Sequence, residues 1–90
     1  MTFYLEGIIW LQWIIDKIVD KHGVEPEEVE QCFANEPYKV RKIENDKLVF
    51  YRRADSGRYL LIIFVRKGQA AQVITARDMD SKERKYFSKK

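Results

Sequence analysis

Tyr59-Leu60-Leu61-Ile62-Ile63-Phe64-Val65 is an unbroken apolar run, entered through Asp55-Ser56-Gly57 and left through Lys67-Gly68-Gln69. The run is shorter than an ordinary buried helix, and its β-branched and aromatic side chains suit a pleated surface. Without polar alternation both faces must be covered, so it predicts the central strand of a sheet. The turn signals on either side make it the shared strand of two hairpins. Lys47 to Ala54 alternates and enters the first hairpin; Gln72 to Arg77 leaves the second. Tyr38 to Ile43, ahead of an Asn45-Asp46 turn, is a weaker fourth candidate.

Upstream the period changes to that of a helix. From Ile8 to His22, Gln12, Asp16, Lys17, Asp20 and Lys21 share one face, while Ile8, Leu11, Ile15 and Ile18 line the other. Trp10, Trp13 and Ile14 widen that stripe. Both tryptophans are therefore assigned mostly to the core, Trp13 near its exposed edge, with a partner surface as the alternative. Gly23 suits the left-handed residue that ends a helix. A second helix opens at Pro26 among glutamates that complement its dipole, turns Val29, Cys32 and Phe33 inward, and closes at Asn35 and Pro37. Asp80 with Glu83 forms a capping box for a last helix ending near Ser88. The order is two N-terminal helices, a three- or four-stranded antiparallel sheet and a C-terminal helix, an α+β arrangement. With 90 residues and no repeat or linker, one domain spanning 1–90 is expected.

Composition excludes several classes. Cys32 is the lone cysteine, so no intrachain disulfide is available; it reads as a buried helix-face residue in a reducing compartment. The start lacks a basic region and a cleavage site, and Gly7 to Ile15 is far shorter than the roughly 20 residues that span a bilayer. The cytoplasm, with no membrane partner, is the expected location. One histidine and one cysteine make no zinc site, no carboxylates have calcium spacing, and no glycine-rich phosphate loop occurs. Neither metal nor cofactor is expected. The net charge of +3 is modest, but its distribution is uneven. Glu25, Glu27, Glu28 and Glu30 cluster early, Arg52, Arg53, Arg58, Arg66 and Lys67 lie in the middle, and Lys82, Arg84, Lys85, Lys89 and Lys90 crowd the end. The basic set suits nucleic-acid phosphates, with ordinary solvated charge as the alternative.

Chemistry is most suggestive at the last strand and helix. Strand alternation over Val73-Ile74-Thr75-Ala76-Arg77 puts Arg77 on the face of Val73 and Thr75, and the helix then brings Glu83, Arg84, Tyr86 and Phe87. RNA scission without a metal needs a base for the 2′-hydroxyl, cations for the crowded phosphate and an acid for the leaving oxygen. The other reading is that Arg77 pairs with Glu83 merely to pin the helix on the sheet. His22, the only histidine, either contributes an acid or base or decorates a helix C-terminus with Lys21.

Gly57-Arg58 with the apolar strand, Ile74-Thr75-Ala76-Arg77, and Glu83-Arg84-Lys85 with Tyr86 resemble the second half of the BrnT family. Lys21-His22-Gly23-Val24, then Glu28 and Phe33, resembles its Lys-His-Gly-Val segment and second helix, and Trp10 falls where the family often has tryptophan. Leu11, Ile14 and Ile18 stand where the family usually carries Asp, Lys and Asn. The resemblance implies a RelE-like fold, metal-independent endoribonuclease activity and a toxin neutralised by a cognate antitoxin. That implies RNA as substrate and assembly as a homodimer or a hetero-oligomer with the antitoxin. It implicates Lys21, His22, Arg77, Glu83, Arg84 and Tyr86 as catalytic: the arginines for phosphate charge, Glu83 or His22 as base or acid, Tyr86 to orient or donate. Arg52, Arg53, Arg58, Arg66 and Lys67 become the expected RNA contacts. The alternative is a non-catalytic RelE-like domain that binds a partner protein or nucleic acid; a weaker third is a regulator acting on DNA through the antitoxin complex.

Overall fold

In the computed structural model, which describes residues 7–89, the elements are β1 (Gly7–Ile9), α1 (Gln12–His22), α2 (Pro26–Ala34), β2 (Lys39–Lys42), β3 (Lys47–Arg53), β4 (Tyr59–Lys67), β5 (Ala70–Asp78) and α3 (Ser81–Ser88). The strands form one sheet in the order β1-β5-β4-β3-β2. β2 to β5 is the antiparallel meander read from the turn signals. β1 corrects the expectation of three or four antiparallel strands: it pairs parallel to β5, Gly7 opposite Ala70 and Ile9 opposite Gln72, so the sheet is five-stranded and mixed. Three residues cannot display a period, and Ile8 happened to fall in phase with the helix behind it.

The turns follow local chemistry. Asn45 and Asp46 both take positive φ, 60° and 59°, as the centre of a type I′ hairpin turn requires, and the Lys47 N–H closes it on the Glu44 carbonyl. Gly23, at φ 61°, ends α1 in the left-handed conformation, where its N–H and that of Val24 donate to Val19 and Ile18.

β4 is covered on both faces, as its composition requires. Leu60, Ile62 and Phe64 point to an inner face under α1 and α2, meeting Ile14, Ile18, Val24, Val29 and Cys32. Leu61 and Ile63 point to an outer face with Val49, Tyr51, Met79 and Phe87, below α3. Burial holds the Cys32 thiol at about 11, protonated and unreactive.

Two further expectations change. The buried stripe of α1 is Ile14 and Ile18, not Leu11 and Ile15. Trp13 therefore turns outward, 62% exposed, and Lys17 lies 5.4 Å from its ring; Trp10 stays half-buried against the core, its indole N–H donating to Glu30. In β5 the register slips: Ile63 faces Thr75 but Phe64 faces Val73, leaving Ile74 in a bulge. Arg77 keeps the face of Thr75, but Val73 moves to the inner core with Ala76. The Ile74 carbonyl accepts a 2.8 Å hydrogen bond from the Lys17 ammonium. Beyond Gln72, β5 has no strand on that side among the described residues.

Urea unfolding checks the stripe. Ile14→Ala should cost about 2–5 kcal/mol, whereas Trp13→Ala should stay within about 0.5 kcal/mol. Equal losses would place Trp13 in the core after all.

Candidate active site

The pairing register lines up Lys39, Tyr51, Leu61 and Arg77 as one row across the outer face. α3 is held over this row by its own cap. The Asp80 carboxylate accepts the Glu83 N–H at 2.8 Å, and the Glu83 carboxylate accepts the Asp80 N–H at 2.9 Å. That same Glu83 carboxylate takes both ends of the Arg77 guanidinium at 2.8 Å each, and Arg77 also donates to the Asp78 carbonyl. The Arg77 hydrogen bonds hold the Glu83 carboxyl below its usual range against the opposing effect of burial.

Tyr86 comes next along α3. Its ring lies 5.0 Å from that of Tyr51, with the Lys39 ammonium 4.6 Å and the Arg41 guanidinium 5.5 Å from its centre. Lys39 also donates to the Tyr86 and Lys89 carbonyls, binding the end of α3 to β2. Tyr51 is buried, which raises its phenol pKa, while the positive charge of Arg41 opposes the rise. Arg84 projects from another flank of α3 onto the Tyr59 ring at 4.3 Å, and Arg53 reaches the same ring at 5.8 Å.

Arg77, Glu83 and Tyr86 thus converge, with Arg84 beside them, but Lys21 and His22 lie elsewhere. They end α1 on the inner side of the sheet. No hydrogen bond or ion pair joins the His22 side chain to Arg77, Glu83 or Tyr86 among the described residues. Its surroundings are set by Arg58, which donates to the His22 carbonyl at 3.0 Å and the Gly23 carbonyl at 2.6 Å. Arg58 also takes Asp78 through two 3.0 Å bonds and Glu28 at 3.4 Å. Successive residues at the end of β5 therefore serve opposite sides, Arg77 the outer face and Asp78 the inner.

The expected RNA contacts divide likewise. Arg58 is a clamp rather than a surface cation. Arg52 is 7% exposed on the inner face, with one nitrogen on the Pro37 carbonyl and another 3.6 Å from Asp55. Arg53, Arg66 and Lys67 are exposed. The last two close the far hairpin, about 17–20 Å along β4 from Leu61, which faces Arg77. Lys39, Arg41 and Tyr51 were not singled out from sequence, because β2 was the faintest strand and cross-strand register is invisible in a linear pattern. Among the described residues, no three His, Cys, Asp or Glu side chains cluster as metal ligands, and no helix is long and apolar enough to cross a membrane.

The protein-family model described as "Ribonuclease toxin, BrnT, of type II toxin-antitoxin system" matches residues 15–83. The chain belongs to the BrnT family. The matched BrnT region includes Lys21, His22, Arg77 and Glu83, while Arg84 and Tyr86 lie just beyond it. The fold is also similar to the crystal structure of the Brucella abortus ribonuclease toxin BrnT, with a TM-score of 0.70 and 23% identity, over 83% of this chain and 97% of that one. No curated protein sequence matches.

The two arginine–carboxylate pairs give this BrnT-family chain a defined pH response. Asp78 and Glu83 are both held below their usual range, first by hydrogen bonds from Arg58 and Arg77. A lowered folded-state pKa contributes stability above the unfolded pKa and loses it as pH falls through the folded one. The melting temperature should therefore hold at neutral pH and fall below roughly pH 4. A variant lacking both arginines should show a shallower acid limb; an unchanged limb would deny the pairs this role. Arg58→Ala should itself cost about 1.5 kcal/mol in urea unfolding, the low end for charged hydrogen bonds because its surroundings are partly solvated. An Arg58→Ala protein of wild-type stability would return Arg58 to the solvated surface.

Proposed function

We propose that this chain is the toxin of a type II toxin–antitoxin pair: a RelE-like, metal-independent endoribonuclease, neutralised by a cognate antitoxin that binds it. The convergence of Arg77, Glu83 and Tyr86 on the outer sheet face carries this reading, and membership of a ribonuclease toxin family supports it. In the proposed step the 2′-hydroxyl oxygen bonds to the adjacent phosphorus as the P–O5′ bond breaks. The 2′-hydroxyl proton passes to a base and the departing 5′-oxygen gains one from an acid, leaving a 2′,3′-cyclic phosphate.

Glu83 is ionised at neutral pH, as a base must be, but its Arg77 pair also weakens it. Tyr51 is buried and stays protonated, so it backs the site rather than meeting the substrate. Tyr86 is the exposed phenol beside it, placed to orient the substrate or donate the proton. Arg77 and Arg84 supply positive charge to the crowded phosphate. Lys21 and His22, across the end of β5, contact a neighbouring part of the substrate rather than the bond being cut. The exposed Arg53, Arg66 and Lys67 extend phosphate contact along the surface.

One observation favours a second reading, a non-catalytic RelE-like domain that only binds a partner: both ends of the Arg77 guanidinium are already bonded to Glu83.

Cleavage and melting measured together separate the two. Arg77→Ala should cut RNA on the order of 10²–10³-fold more slowly, about 3–4 kcal/mol, and melt a few degrees lower. Glu83→Gln keeps an oxygen for the Asp80 N–H and should lose cleavage with less loss of stability. Wild-type cleavage should survive a chelator, leave cyclic phosphate ends and stop on addition of the antitoxin. If both variants cut at the wild-type rate while folded, the site is elsewhere; if the wild type cuts no RNA, the binding reading stands.

A further inference from the structure

Three cations approach the Tyr51–Tyr86 pair, and two are already committed. Arg77 has its guanidinium closed on a carboxylate with matched geometry. Lys39 has its ammonium on the carbonyls that end α3. Arg41 differs: its side chain is exposed, its guanidinium lies 5.5 Å from the centre of the Tyr86 ring, its charge acts on the Tyr51 phenol, and it makes no ion pair among the described residues. Glu83 feels its charge without bonding it.

Strand geometry puts Arg41 two residues along β2 from Lys39 on the same face, opposite Val49, so an anion reaching it lies beside Tyr86. An arginine fork beside an exposed aromatic ring, with no carboxylate closing it, is the arrangement that accepts a phosphate through two parallel bonds. A carboxylate from within the chain would have filled it, as Glu83 fills Arg77. Lys42, the next residue, turns to the other face and pairs with Asp46 at 3.4 Å.

We propose that Arg41 is a phosphate-binding cation of this face, taking the phosphodiester of a single-stranded RNA laid across the exposed Tyr86. The inference rests on the RNA-cleaving reading above and adds a contact on β2 to a site otherwise drawn from β5 and α3. Arg41 brings to the substrate a fork that no carboxylate of the described residues closes, while Arg77 holds α3 and lends its charge from behind.

The test uses the full chain and a fluorescein-labelled, mixed-sequence single-stranded RNA, made uncleavable by 2′-O-methyl groups. Its affinity is measured across a salt series, and unmodified RNA reports kcat/KM. Arg41→Ala and Arg41→Gln should bind roughly ten- to a hundredfold more weakly, with a salt slope smaller by about 0.7, and melt like wild type. Arg41→Lys should recover the slope but not the full affinity, since an ammonium cannot supply the fork. Lys42→Ala should leave affinity and cleavage at wild-type level. Wild-type slope and cleavage in Arg41→Ala would overturn the proposal and hand this surface to an acidic protein segment. A wild-type protein that neither binds nor cuts RNA would overturn it together with the proposed function, and that failure is recognisable because it lies in the wild-type arm.

Discussion

The Arg58 guanidinium holds the ends of the chain's elements at one point. It stands just before β4, grips Asp78 at the end of β5, caps the end of α1 through two carbonyls and touches Glu28 in the first turn of α2. No other side-chain type could do this. The bonds need donors splayed in one plane, and a lysine ammonium would satisfy fewer of the acceptors and fix none of their angles. Because Asp78 is held toward α1, its neighbour Arg77 is left facing α3. Strand alternation thus puts the inner clamp and the outer pair on successive residues of β5.

Glu83 ties two roles together in a similar way. Its carboxylate completes the cap that starts α3 and receives the Arg77 fork, so docking the helix and aligning the charged pair are one event. Tyr86 and the Lys39 tether then follow from where α3 lies. The Arg77–Glu83 pair and the cap of α3 are local in sequence, whereas β2 and β3 have to be brought from afar.

Legibility in the sequence followed the range of each signal. β4 was readable because a run apolar on every side has few alternatives, and the Asp80–Glu83 cap because its two residues announce each other at fixed spacing. β1 was not, since Gly7–Ile9 gains strand character only from Ala70 and its neighbours. The Ile74 bulge was hidden for the same reason, and it moved Val73 to the other face. Arginines were the hardest to place. Arg52 and Arg58 read as surface charge because sequence shows the cation but not the carbonyls and carboxylates that fold around it. Of the expected site, Arg77, Glu83 and Tyr86 were found together because they share one short stretch, whereas Arg41 depends on register across the sheet.

The bond from Lys17 to the Ile74 carbonyl has a consequence for the chain among its own copies. Where β1 stops, β5 would offer a row of open backbone groups to any strand that drifted past, the usual seed of edge-to-edge aggregation. At this position the bulge breaks the regular spacing of those groups, and an ammonium already sits on the acceptor that an incoming strand would need. A charged side chain planted there must be stripped of its partner before a foreign strand can pair. The register slip that moved Val73 into the core thus also guards the flank of the sheet against self-templating.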